Sequence, residues 1–247
     1  MSEVEQKEEL IEIGNFLSNK EIININDKNY ARIIFLYNSA LKELKTKTDI
    51  LTEELKYFYD YNPIEYVVTR IKETDSIIKK LNKKKYDLTY ENMIEKINDI
   101  AGMRIICAFK EDIYKVVEQI ECFHDIRVLT KKDYMKKPKK SGYMSYHMLV
   151  EVPINFSKGI IYIKVEIQIR TMGMDFWAGL EHKINYKNEK RSKKQSKELV
   201  KYAKMINNID SKMFMMLKEN IKEEKKLAKN IKIAKKVVNT SKLVMST

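Results

Sequence analysis

Ile161, Ile163, Val165, Ile167 and Ile169 recur at every second position, with Tyr162, Lys164, Glu166, Gln168 and Arg170 between them. A two-residue period is that of a β-strand with one apolar and one polar face. The segment "GYMSYHMLVEV" alternates in the same way, with Met144, Tyr146, Met148 and Val150 on one side and Tyr143, Ser145 and His147 on the other. "DIAGMRIICAF" and "DIRVLT" complete a set of four predicted strands, and "EDIYKVVEQI" reads as a helix between those two. If the strand carrying His147 pairs with the one carrying Glu166 and Gln168, their polar faces form one floor. That floor meets either water or a substrate.

Helical periodicity governs both ends of the chain. Ile33, Tyr37, Ala40, Leu41 and Leu44 lie on one stripe, and "DILTEELKYFYDY" continues in the same style, which predicts two N-terminal helices. After "YNPIEYVVTRIK", the segment "ETDSIIKKLNKKK" predicts a helix capped by Thr74 or Asp75 and carrying Ser76, Lys79, Lys80 and Lys83. Free N–H groups beside lysines suit a phosphate, and a solvated lysine face is the alternative. "TMGMDFWAGLEHKINYK" is a helix with the only tryptophan, and Leu199, Ala203, Ile206, Ile209 and Met213 mark another that "MFMMLKENIKEEKK" prolongs. Its stripe could dock on the sheet or against another subunit, docking within the chain being the simpler assumption, and a fraying tail is expected from about Lys225. This order of elements predicts an α+β fold, a mixed β-sheet flanked by helices.

Composition adds a charge. Among 247 residues, 48 Lys and Arg against 35 Asp and Glu give +13, which points to polyanionic partners or to a lysine-rich solvated surface. Cys107, inside an apolar run, reads as a small core hydrophobe, and Cys122 forms no metal-ligand spacing with it. No stretch reaches the length of a membrane span, so the expectation is a cytoplasmic protein with no membrane partner. Neither "GxxxxGK[ST]" nor "GxGxxG" occurs, which leaves a P-loop or Rossmann site unsupported.

Three groups of residues carry candidate chemistry. Asp99, just before a strand, and Glu166, projecting from another, form the pair of carboxylates that Mg²⁺ takes from a protein when phosphate oxygens complete its shell. Arg70, Lys72, the lysines after Ser76, Arg104 and "KKPKKSGY" supply positive charge for a triphosphate. Tyr143, beside a glycine, offers a stacking surface for a base, and Gln168 could read a base or ribose edge. Scattered aromatics on a basic protein also fit RNA binding.

The order of the blocks is more specific than any one of them. "RIKETDSIIKKL", "DIAGMRIIC", "DYMKKPKKSGYMSYH" and "VEIQIRTMGMDFWAGLEHK" together resemble the synthetase domain of the Rel/Spo alarmone family, from about Phe58 to Lys187, and the whole chain resembles the stand-alone small alarmone synthetases. The resemblance implies a nucleotidyltransferase-like synthetase fold with a catalytic core at 58–190 between helical extensions at 1–57 and 191–247. It implies pyrophosphoryl transfer from ATP to the 3′-hydroxyl of GDP or GTP, making (p)ppGpp in the stringent response, with Mg²⁺ as cofactor. By that likeness Asp99 and Glu166 hold the metal, and Glu166 helps hold it or takes the proton; Arg70 and Arg104 flank adenine; Lys72, Ser76, Lys80 and Lys83 contact the ATP phosphates. Lys139, Tyr143, His147, Gln168 and Asp175 belong to the GDP or GTP side. Met144 stands where many relatives show arginine or glutamine, and Ser141 replaces a common asparagine. The likeness further implies a homo-oligomer, a tetramer favoured, and the short chain implies synthesis without alarmone hydrolysis. A catalytically inactive relative acting as an RNA-binding regulator is the alternative.

Overall fold

The computed structural model describes residues 20–59, 61–156, 159–185 and 192–244. Its centre is a five-stranded mixed sheet of β1 (Ile64–Ile71), β2 (Ala101–Cys107), β3 (Arg127–Asp133), β4 (Tyr146–Phe156) and β5 (Gly159–Thr171), in the order β1-β2-β5-β4-β3. Only the β2–β5 pair is parallel; the other neighbours run antiparallel. The expected α+β architecture is therefore present. The strands of His147 and Glu166 are direct neighbours, which joins their polar faces into the floor anticipated from the alternation.

One face of the sheet is dry. Ile163, Val165, Ile167 and Ile169 of β5 are buried together with Met148, Val150 and Val152 of β4 and with Cys107. Helix α1 (Lys28–Phe58) covers this face with Ile33, Tyr37, Ala40, Leu41, Leu44, Leu51 and Leu55. The sequence predicted two helices here, and the structure has one of 31 residues. No glycine or proline interrupts the segment, and Thr48, the polar residue within the stripe, satisfies its hydroxyl on the carbonyls of Leu44 and Lys45, both at 2.9 Å.

Three further expectations need correction. Strand β1, the fifth, was absent from the sequence reading because only Ile64 among its eight residues is buried; an edge strand with no apolar alternation gives little signal. Helix α2 (Thr74–Lys83) begins after Glu73, which makes no side-chain cap, while Thr74 shares a hydrogen bond with Tyr30 instead. Strand β4 starts at Tyr146, so Ser145 lies on the buried side, where its Oγ donates to the Ile169 carbonyl at 3.1 Å.

The remaining helices are α3 (Tyr90–Lys96), α4 (Lys110–Glu121), α5 (Met172–Asn185) and α6 (Lys193–Val244). In α6 the predicted stripe splits: Leu199 and Ala203 pack on Trp177, whereas Ile209 and Met213 are more than half exposed. The helix also runs on through the segment expected to fray, a 52-residue element without one glycine or proline.

Candidate active site

Strand register builds the floor of the site. Arg104 on β2, Gln168 on β5 and His147 on β4 stand in one row, and Gly102, Glu166 and Leu149 stand in the next, with Arg70 of β1 opposite Gly102. Since side chains alternate, all these residues rise from the face opposite the core. Helix α5 and the segment before β4 wall this face into a cleft of about 800 Å³. Of the residues assigned to a site from sequence, Arg70, Lys72, Ser76, Lys80, Asp99, Arg104, Lys139, Tyr143, His147, Glu166 and Gln168 line it.

At one end, Asp99 sits in the turn before β2. Lys72 Nζ donates to its Oδ2 at 2.9 Å and Lys80 Nζ to its Oδ1 at 2.7 Å. Burial pushes this carboxyl up, but the two lysines more than offset it and hold Asp99 below the usual carboxylate range. The backbone fixes the arrangement, because Lys72 N donates to the Ile100 carbonyl at 2.8 Å.

Glu166 lies farther along the floor. Gln168 Nε2 donates to its Oε2 at 2.7 Å, and His147 Nδ1 stands 3.4 Å from its Oε1. Burial again raises the carboxyl, and the contacts with His147 and Gln168 outweigh it, leaving Glu166 below its ordinary range. Both carboxylates are thus charged near neutrality.

The other end is aromatic and basic. The Tyr143 hydroxyl is 2.7 Å from His147 Nε2, and Tyr134 meets the His147 ring edge-on with centroids 5.1 Å apart. Lys139 Nζ stands 4.6 Å from the ring centroids of both Tyr134 and Tyr143, and burial lowers the affinity of its amine for a proton. Gly142 turns the chain here with φ +93°, a left-handed conformation, and a Cβ on it would lie 3.0 Å from Ala203 Cβ and 3.1 Å from Val200 Cα. Helix α6 therefore braces the loop that presents Tyr143.

Two assigned residues stand elsewhere. Lys83 is the exposed last residue of α2 and does not line the cleft. Asp175, on α5, is not among the residues that line the cleft; its Oδ1 lies 3.0 Å from Arg104 Nη1 and 3.1 Å from Arg170 Nη1. Sequence reasoning gave no role to Arg170, whose side chain is only 7% exposed and whose Nη2 donates to the Tyr143 hydroxyl at 2.7 Å and to Gln168 Oε1. It also missed Thr130, Lys132 and Tyr134, which reach the cleft from β3 and the segment after it, and Glu181, His182 and Lys183 on the rim of α5. The polar alternation of 130, 132 and 134 was a usable signal; for α5 none existed, because its placement over the sheet is tertiary.

An α+β sheet whose open face gathers two ionised carboxylates, paired lysines, arginines and a tyrosine is the framework of a protein that handles phosphorylated nucleotides. A family model described as the region found in RelA/SpoT proteins matches residues 69–191. The chain is 43% identical over 187 residues to GTP pyrophosphokinase YwaC of Bacillus subtilis, a match covering 75% of this chain and 89% of that protein. It superposes on the crystal structure of small alarmone synthetase 1 from Bacillus subtilis bound to its product pppGpp with a TM-score of 0.72 and 36% identity, covering 78% of this chain and 98% of that one. The structure of the same synthetase bound to AMPCPP gives a TM-score of 0.65 and 32% identity, covering 78% and 98%. The chain belongs to the RelA/SpoT family and, within it, to the small alarmone synthetases.

Proposed function

We propose that this protein transfers the pyrophosphoryl group of ATP to the ribose 3′-hydroxyl of GDP or GTP, forming (p)ppGpp and releasing AMP. The observation that carries the reading is the joining of Asp99 with Lys72 and Lys80, and of Glu166 with His147 and Gln168, in one cleft that also holds Tyr143. Support comes from relatives whose names are GTP pyrophosphokinase and small alarmone synthetase.

In this reading Arg70 and Arg104 flank adenine, and Lys72, Ser76 and Lys80 take the ATP phosphates. Tyr143 stacks on guanine with Lys139, His147 and Gln168 beside it. Asp175 acts through Arg104, which it holds by an ion pair. Lys83 is assigned to ATP only by likeness and would have to reach in from outside the cleft. The lysines on Asp99 exchange that carboxylate for phosphate oxygens as ATP enters, so that charge growing on the bridging oxygen of the departing AMP meets positive charge already in place. Glu166 accepts the proton of the 3′-hydroxyl as its oxygen attacks the β-phosphorus in line.

Mg²⁺ fits the donor chemistry. Asp99 and Glu166 offer carboxylate oxygens only, and the charge of Asp99 is felt at Glu166. These two residues would hold the ion, which when bound neutralises phosphate charge.

Residues 58–190 form the catalytic core; α1 covers the sheet, so a fragment starting at 58 is expected to fold poorly. Tyr202, Met205, Ile209, Met213 and Met216 form an exposed stripe on α6 that supports association into a homo-oligomer, with a tetramer favoured, tested by light scattering. Among the described residues no helix is long and apolar enough to cross a membrane. A cytoplasmic place, a stringent-response role and synthesis without hydrolysis complete the proposal. No observation favours the alternative of an inactive RNA-binding regulator.

The test incubates purified protein with labelled ATP, Mg²⁺ and each guanine nucleotide. Label appearing on GDP or GTP with AMP released is the expected result. No transfer with any acceptor would overturn the reading and direct attention to RNA binding, measured by its salt dependence.

A further inference from the structure

Arg170 is the most enclosed charged residue on the open face of the sheet, and its guanidinium touches three partners at once. Nη1 donates to Asp175 Oδ1 at 3.1 Å, while Nη2 donates to the Tyr143 hydroxyl at 2.7 Å and to Gln168 Oε1. Among the described residues its Nε is buried without a hydrogen-bond partner. The side chain is therefore not arranged to satisfy itself fully, and what the fork does for its partners becomes the question.

A guanidinium only donates, and it stays charged. That makes Gln168 Oε1 and the Tyr143 oxygen acceptors toward it. Gln168 must turn its carbonyl oxygen to Arg170, which leaves its Nε2 aimed at Glu166 Oε2, 2.7 Å away. The Tyr143 oxygen, already accepting from Arg170, has its own proton to give to His147 Nε2 at 2.7 Å. An imidazole that accepts at Nε2 carries its proton on Nδ1, and Nδ1 is the nitrogen that faces Glu166 Oε1 at 3.4 Å. Both routes end on the same carboxylate.

We propose that Arg170 is a positioning residue that sets the polarity of this network, orienting the Gln168 amide and, through the Tyr143 hydroxyl, selecting the Nδ1–H tautomer of His147 so that both donate to Glu166. The proposal rests on the pyrophosphokinase reading for its kinetic consequence, but its structural part concerns the unliganded protein. Arg170 touches no reacting atom. It acts through the groups that do.

The experiment reads the imidazole nitrogens of the full chain by ¹⁵N NMR at a pH well above neutrality. Only His124, His147 and His182 occur in the sequence, so His147→Gln assigns the resonance. The expected result is a proton on Nδ1 of His147 in the parent protein and in Arg170→Lys, which keeps a charged donor, with a shift toward Nε2–H or a mixture in Arg170→Gln and in Tyr143→Phe. In parallel, Arg170→Gln should lower kcat about tenfold or more while the affinity for AMPCPP and the melting temperature stay near those of the parent. The loss should shrink when Arg170→Gln is added to Tyr143→Phe, because the route through the hydroxyl is already cut and only the one through Gln168 remains. Nε2–H or a doubly protonated ring in the parent, or fully additive kinetic losses, would overturn the proposal. If the parent transfers no pyrophosphate but the tautomer results hold, the enzyme reading fails and the network assignment stands.

Discussion

Replacing Glu166 with Gln removes a charge and almost nothing else, so it separates the proposed proton acceptor from a structural carboxylate. The structure sets the size of each effect. The amide retains one carbonyl oxygen, enough for the 2.7 Å contact from Gln168 Nε2, and gives up the charge that His147 Nδ1 faces at 3.4 Å. One charge-assisted hydrogen bond is worth about 1.5–3 kcal/mol, but 3.4 Å is long, which places this one at the low end. Burial of the charge opposes it, since burial is the largest influence on the Glu166 carboxyl and disfavours ionisation. The two nearly cancel, but the new NH2 group meets the His147 nitrogen where a carboxylate oxygen stood, and one mispaired donor should lower stability by about 1–3 kcal/mol. Losing a positioned base costs about 10²–10⁴ in rate, or about 3–5 kcal/mol in the transition state. The assay compares kcat with saturating ATP, Mg²⁺ and GDP, alongside urea unfolding and AMPCPP affinity. A kcat within fivefold of the parent, with fold and binding intact, would refute the role given to Glu166; a loss of rate accompanied by collapse of the melting transition would show that the carboxylate holds the floor together.

Other perturbations test the neighbouring assignments. Tyr143→Ala should weaken GDP binding about 5- to 150-fold, the range for loss of one stacked base, while AMPCPP affinity moves far less; calorimetry showing equal losses for both would make Tyr143 structural. Gly142→Ala meets both a φ of +93° and a Cβ contact of 3.0 Å with Ala203, so urea unfolding should record a loss of about 1–3 kcal/mol. Burial raises the Asp210 carboxyl, more than its bond with Thr171 and the charge of Lys110 lower it. A raised folded pKa gives stability that is present at low pH and lost as pH rises through that value, so the melting temperature of Asp210→Asn relative to the parent should climb from pH about 3 to about 7. A flat or falling difference would show that Asp210 is stabilised as the charged form.

Local pattern carried much of this molecule, and it did so where one residue type meets one environment. The isoleucine and valine alternation of β5 specified both its strand and its buried face, because a two-residue period leaves the chain one way to hide five apolar side chains. The same alternation put Glu166 and Gln168 on the open side, and four ordered blocks pointed to the family. The failures have physical causes as well. Edge strand β1 buries one residue of eight and so left no periodic trace. The second half of the α6 stripe, Ile209 and Met213, follows the same spacing in sequence but stays more than half exposed among the described residues.

What only the tertiary structure decided is which groups meet across strands. Register places Arg104, Gln168 and His147 in one row, although they lie 21 to 64 positions apart in the chain. Lys72 lies in the link after β1 and Lys80 on α2, and each reaches one oxygen of Asp99. Arg170 appeared in the sequence as one more polar residue of an amphipathic strand; its role emerged from three acceptors supplied by β5, α5 and the turn before β4. Periodicity fixes the side of an element on which a residue stands, because that depends on backbone geometry alone. The partner it finds there depends on how distant segments pack, and no local pattern encodes that distance.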